Sequence, residues 1–321
     1  MTTRPNSKLP SRLATWITLA FIYIYLAWGA TYLAMYYALA SIPPFIIGGG
    51  RFLLAGAILF AFVAAFQRRE FQFGTVREWR DSIVVGAMLL VGGNGSVIWS
   101  QQYVTTSETA LIFGCMPLTI ILCDWLRPGG VRPSLRTAIA LAFGFVGLCI
   151  LIKPSGAVPD TTMETWGKFV LLFAACSWSV GAIYSRHVHA QGSPLLPMAR
   201  QMIAGGVMLF GVALVNGDYA RFSFGQITAL SWFGFLYLLV PGSLIGFTAY
   251  VWLLRVSTPE RVSTISYVNL VVAVLLGWTI GHEPMTTRMV LGAGIIIGSV
   301  VLVLKKREVQ REVVTAEPPE A

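Results

Sequence analysis

Charge is what this sequence has least of. Only 12% of its 321 residues are Asp, Glu, Lys or Arg, whereas a water-soluble chain carries about a quarter. That deficit excludes an ordinary soluble enzyme, a coiled coil and a disordered chain. Cysteine is scarce too. Cys115, Cys123, Cys149 and Cys176 all lie inside apolar stretches without a paired spacing, so they read as small apolar packers and no disulfide is expected. The histidines His187, His189 and His282 fall in expected loops and make no metal set. No phosphate loop, Walker lysine or nucleophile elbow occurs, so no built-in ATP motor, catalytic group, cofactor or metal is expected.

Apolar residues fill the space. They make up 56% of the chain, and mean hydropathy is +0.71. The formal charge of +9 would suggest nucleic acid if it lay on a soluble face. Here the basic residues sit between long apolar runs, so the expected surroundings are a lipid bilayer and no nucleic acid.

Crossing about 30 Å of hydrocarbon takes roughly 17–25 apolar residues in a helix. Ten segments qualify: 13–33, 45–66, 82–102, 109–126, 135–152, 165–185, 196–215, 227–254, 262–281 and 289–304. The eighth is long for one straight crossing, and Pro241-Gly242 near its middle is expected to break or kink it. The first is too long for a signal peptide, and no small-residue cleavage motif follows it. With residues 1–12 in the cytoplasm and strict alternation, eighteen of the 23 Lys and Arg fall on the cytoplasmic side. Lys153, Lys168, Arg221 and Arg288 fall outside, and Arg51 lies within the second span. That asymmetry predicts both termini inside.

The halves also resemble each other at an offset of 150. Trp28 matches Trp178, Pro44 matches Pro194, and Gly92 matches Gly242. Ala55-Gly56 and Leu59-Phe60 face Gly205-Gly206 and Leu209-Phe210. Five spans per half is an odd number, so the second half enters from the opposite side. The expected fold is an all-α integral membrane protein of ten transmembrane helices in two inverted five-helix repeats, 13–152 and 165–304, with a polar, disordered cytoplasmic tail over 305–321. Inverted repeats of this kind mark secondary transporters, with the solute site near the midplane.

Several stretches carry a resemblance to the EamA family of the drug/metabolite transporter superfamily. They are Trp28-Gly29-Ala30-Thr31-Tyr32, Pro43-Pro44 through Arg51-Phe52, Gly92-Gly93-Asn94-Gly95, Pro117, Trp178, Tyr267-Val268-Asn269 and Gly281-His282-Glu283. The resemblance covers about residues 16–304. It implies a permease of the inner membrane, with efflux of a small metabolite such as an amino acid or an amphiphilic drug-like compound. The sequence departs from the family twice. Asn269 is followed by Leu270 in place of proline, so the ninth helix is expected to be less kinked. Gly129-Gly130 stands where the family often has a glutamate.

The candidate binding residues are Trp28, Asn94, Trp99, Trp178, Tyr267 and Asn269, in a cavity expected between the first, third, fourth, sixth, eighth and ninth helices. Each has a plainer reading, since buried aromatics pack and buried amides tie helices together. Arg51 has two readings. A charge at depth costs about 2.5–3.5 kcal/mol on insertion scales, so it either holds an anion or gates, or it snorkels to the interface. Glu108, Asp124 and Glu283 lie towards span ends. Glu283 or Glu108 is open to a proton-coupling role or to plain helix capping. The pair Gly294 and Gly298 is expected to let the tenth helix pack closely, and allows a homodimer. A lipid-modifying enzyme and a passive channel are the alternative functions.

Overall fold

The computed structural model describes residues 11–130, 132–152, 161–186 and 192–316. Among them there is no strand. Among the described residues, eight helices are long and apolar enough to cross a membrane: α1 (Leu13–Leu39), α2 (Pro44–Phe66), α3 (Val76–Ser100), α4 (Thr106–Leu126), α5 (Leu135–Ile152), α6 (Thr162–Ser185), α7 (Leu195–Val215) and α8 (Ala229–Val256). Two more follow, α9 (Pro259–Thr279) and α10 (Thr287–Ala316). Their described apolar stretches are Thr264–Thr279 and Thr287–Ser299.

The termini of these helices are written in local chemistry. Thr75 and Glu78 form a capping box at α3, each satisfying an amide the other leaves open. Thr105, Thr228 and Thr258 accept from amides in the first turns of α4, α8 and α9. At α2, where Pro43 and Pro44 leave no cap of their own, the buried Asp218 accepts from the Phe45 amide at 2.9 Å. The last helix differs from expectation. It continues through Ala316, well past the end of its apolar run. Lys, Arg, Glu and Gln are good helix formers, and extending a formed helix needs no new nucleus.

Packing runs through glycines. Helix α2 lies along α7, and each offers a glycine to the other's backbone. A Cβ on Gly56 would stand 2.7 Å from the Ile203 nitrogen, and one on Gly206 would stand 2.5 Å from the Leu53 nitrogen. Small residues of this kind let membrane helices approach closely when apolar burial offers no net drive. Helix α5 lies along α10, α3 along α6, α1 along α8 and α9, and α4 along α6 and α9. On α10 the close contact falls to Gly292, against Leu151, while Gly294 and Gly298 have nothing within 4 Å. The expected close packing through those two is therefore corrected. On the outside of α2, Leu54, Ile58, Phe62 and Phe66 form an exposed apolar stripe, as a lipid-facing surface requires.

Four helices are interrupted at mid-depth. Helix α1 breaks at Ala30 and α4 at Gly114-Cys115, just before Pro117. Helices α3 and α8 stay continuous but widen into π-helix over Ala87–Gly95 and Leu238–Ile245. The second contains Pro241. The expected disturbance at Pro241-Gly242 thus takes the form of a widened turn, not a break.

Candidate functional site

The four interruptions surround one cavity of about 140 Å³, and a dry cavity of about that size in another protein holds benzene. Its walls come from the six expected helices and from α2, which contributes Arg51. Trp28, Asn94, Trp178 and Asn269 all line it. Its aromatic walls also include Phe113, whose ring meets Trp178 edge-on at 5.8 Å between centroids, and Phe247, 5.3 Å from Trp28.

Two of the lining groups, Trp28 and Asn94, bond to irregular backbone. Where a helix widens, its carbonyls and amides no longer match the usual ladder, and side chains from neighbouring helices complete them. Trp28 Nε1 donates to the Gly242 carbonyl at 3.0 Å, and Tyr23 donates to Pro241 at 3.0 Å. In the other widened stretch Ser177 donates to Met88 at 2.8 Å. Asn94 Nδ2 donates to the Leu89 carbonyl at 3.4 Å. Glycines make these approaches possible. A Cβ on Gly246 would stand 2.5 Å from Trp28 Nε1, and one on Gly93 would stand 2.8 Å from the Trp178 ring.

Arg51 does not snorkel. It is 4% exposed, its Nε donates to Ser243 Oγ at 2.7 Å, and its guanidinium lies 4.7 Å from the Phe52 ring centre. Its Nη1 is buried without a hydrogen-bond partner, as is Asn269 Oδ1. Both residues line the same cavity, whose wall also holds Thr31, Asn94 and Ser266 among aromatic and aliphatic side chains. Unsatisfied buried polar atoms of this kind are costly unless something completes them.

Two expected residues lie elsewhere. Trp99 is not among the lining residues and packs on Tyr103 at 5.1 Å. Tyr267 is also absent from the lining and packs against the main apolar core. Helical phase explains both. Val97 and Ile265, Ser266, Asn269 and Leu270 face the cavity, and at about 100° per residue positions 99 and 267 point away from those faces. Glu283 is a helix cap, its carboxylate receiving the Ser107 amide at 2.9 Å, the Thr106 amide and the Ser107 hydroxyl at the start of α4.

Two further groups carried less in the sequence than in the structure. Ser243, a polar residue after Pro241-Gly242 inside the eighth span, is open there to cavity lining or to joining helices, and it does the second by anchoring Arg51. Lys168, expected in an external loop, is instead wholly buried within α6, bonded to Glu108 and Glu164. The four-residue spacing of Glu164 and Lys168 was the available sign. Among the described residues no group of three His, Cys, Asp or Glu is placed to hold a metal ion.

The model of the EamA-like transporter family matches twice, over residues 15–153 and 165–305. The uncharacterized inner membrane transporter YedA of Escherichia coli K12 is 32% identical over 289 residues, covering 88% of this chain and 89% of that protein. The uncharacterized transporter YoaV of Bacillus subtilis is 24% identical, covering 87% and 94%. A WAT1-related chloroplastic protein of Arabidopsis thaliana is 23% identical, covering 86% and 66%. A solved crystal structure superposes with a TM-score of 0.63 at 19% identity, covering 92% of this chain and 99% of that one, a likeness of fold.

Proposed function

This chain belongs to the EamA-like transporter family, and from that premise we propose that it carries a small amphiphile bearing an acidic group across the inner membrane by alternating access. The carrying observation is that Arg51 and Asn269 line one cavity and that each keeps a buried polar atom, Nη1 and Oδ1, without a hydrogen-bond partner. A carboxylate on the solute completes the arginine, an N–H or O–H group completes the asparagine, and an apolar body fills the space between Trp28, Phe113, Trp178 and Phe247. An amino acid with an apolar side chain has those three parts, and so do many amphiphilic drug-like acids.

Ten spans in two oppositely oriented halves are the architecture this reading needs. The two family-model matches support it, as do the π-helical stretches ending at Gly95 and Ile245, which share the 150-residue offset. The packing supports it as well, since exchanging each helix for the one five places on maps α3 on α6 into α8 on α1, and α4 on α6 into α9 on α1. Two similar bundles related in this way can exchange conformations and open one site to either side in turn. The inner-membrane location follows the name of the Escherichia coli relative. Cytoplasmic termini follow the distribution of positive charge, and outward transport follows the family resemblance.

A thermal-shift screen of the purified protein against amino acids, nucleosides and cationic drugs tests the solute class, because ligand binding to the folded state raises its melting temperature. Acidic amphiphiles are expected to stabilise the protein and to show saturable counterflow in proteoliposomes. Stabilisation by cations alone would overturn the reading.

A further inference from the structure

The cavity has two ends, and the side chains beyond them differ in kind. Towards the outer end, the faces that line the cavity continue in polar residues. Gln101, directly after α3, follows the lining residue Val97 by one turn, and on α4 Thr109 and Thr106 precede the lining residue Phe113 by one turn and two. At about 3.6 residues per turn, each stays within about 40° of the lining face. Gln101 is 5% exposed, Thr106 2% and Thr109 0%. Among the described residues nothing bonds to Gln101 Oε1, Thr106 Oγ1 or Thr109 Oγ1. The Gln101 amide nitrogen does have a partner, the carbonyl of Tyr32 at 3.0 Å, and Tyr32 lines the cavity. The polar run thus starts at the cavity rim.

The inner end is closed by apolar side chains. Phe21 and Ile24 of α1, Leu253 of α8, and Val262 and Ile265 of α9 belong to one buried cluster, and Ile265 also lines the cavity. The positions 150 after Gln101 and Thr106 are Val251 and Val256, so the polar run has no counterpart there.

Packing gives no reason for polar residues at the outer end. A threonine inside a membrane helix can donate to the carbonyl one turn back, as Thr18, Thr248 and Thr279 do to Ala14, Leu244 and Leu275. Thr109 makes no such bond with Thr105. An unmet buried polar atom works against the closed arrangement, whereas valine has nearly the same shape without that penalty. Water reaching the three groups would remove it.

We propose that Gln101, Thr106 and Thr109 line the outer leg of the solute route, closed in this structure, and that the apolar cluster is the inner seal. This rests on the alternating-access reading and on the orientation given with it. When α3 and α4 part from α1 on the outer side, the two hydroxyls donate to the carboxylate of a passing acidic amphiphile, and Gln101 Oε1 accepts from its N–H or O–H group. Without solute, water takes those places. Opening outward therefore satisfies polar atoms, while opening inward wets only apolar surface, so the empty protein opens more readily to the outside.

A membrane-impermeant maleimide tests the route without any solute. In a background lacking the native cysteines, Gln101→Cys and Thr109→Cys should be labelled in right-side-out membrane vesicles and not in inverted ones. Phe21→Cys and Leu253→Cys should stay unlabelled in right-side-out vesicles. Melting temperature and elution profile establish that each variant is folded. Thr109→Val in the otherwise native protein needs no such background, and decides the matter if that background does not fold. It should leave the melting temperature unchanged or raise it. A fall would show that the hydroxyl is already met in the closed protein, and overturns the proposal. If Gln101→Cys and Thr109→Cys react only from inside, or from neither side while Asn94→Cys reacts from outside, the route runs elsewhere and the carrier reading stands. If Asn94→Cys is silent from both sides as well, the alternating-access reading falls and the proposal falls with it.

Discussion

The indole nitrogen of Trp28 donates to the carbonyl of Gly242, 214 positions away in sequence and 3.0 Å away in space. One residue thereby lines the cavity and completes the widened turn of α8. Replacing Trp28 with Phe keeps a ring and removes the donor. A buried carbonyl left unmet costs about 1–3 kcal/mol, so the melting temperature should fall measurably even without solute. An unchanged melting temperature would show that water takes over the bond.

Arg51 is expected to separate binding from folding. Arg51→Gln retains a donor for Ser243 but removes the charge. Hydrogen bonds to charged groups contribute about 1.5–3 kcal/mol, so an acidic ligand identified by thermal shift should bind at least tenfold more weakly. Calorimetric titration reads this directly, and equal affinity in the two proteins would reduce Arg51 to a packing role.

Accessibility should follow helical phase rather than residue type. In a background with the native cysteines replaced by serine, Asn94→Cys and Asn269→Cys should react with a small hydrophilic thiol reagent and be protected by solute. Trp99→Cys and Tyr267→Cys should not. Protection at position 267 would place the cavity on the wrong face of α9.

Glycine substitutions should sort by what they meet. At Gly56 an added methyl would press on the Ile203 nitrogen at 2.7 Å and the Ala199 carbonyl at 2.8 Å. Neither helix can yield without separating from the other. Overpacking of this kind costs about 1–3 kcal/mol, and Gly56→Ala should lower the melting temperature accordingly. Gly211 has nothing within 4 Å, so Gly211→Ala on the same pair of helices should be neutral or slightly stabilising.

Removing the cap on α4 should also register. Glu283→Ala strips the acceptor from the Thr106 and Ser107 amides, and loss of a helix cap costs about 0.5–2 kcal/mol. Glu283→Gln, which keeps an acceptor oxygen, should recover part of that loss in thermal denaturation.

Hydrophobic runs and polar residues stranded inside spans made the helices of this architecture readable from sequence. Trp28, Asn94, Trp178 and Asn269 stand on the cavity because small residues and broken helices gather there, and both leave composition marks. Trp99 and Tyr267 share the composition but not the phase, which only the start of each helix fixes. Arg51 gave its depth away but not its partner, because Ser243 lies 192 residues on and nothing local joins them. Lys168 was misplaced for a related reason. A charge near a span boundary looks solvated until the carboxylate from another helix is seen beside it.

The two π-helical stretches have a consequence for any change in chain length. A widened turn holds one more residue than an α turn, so deleting one residue from Ala87–Gly95 would let that stretch tighten towards ordinary α-helix with Val97 kept near the cavity wall. What would go is the displaced backbone that Ser177 now meets at Met88. Deleting a residue after Gly95 would instead turn the rest of α3 by about 100°. The widened stretches are thus the places where chain length can change without moving the faces beyond them.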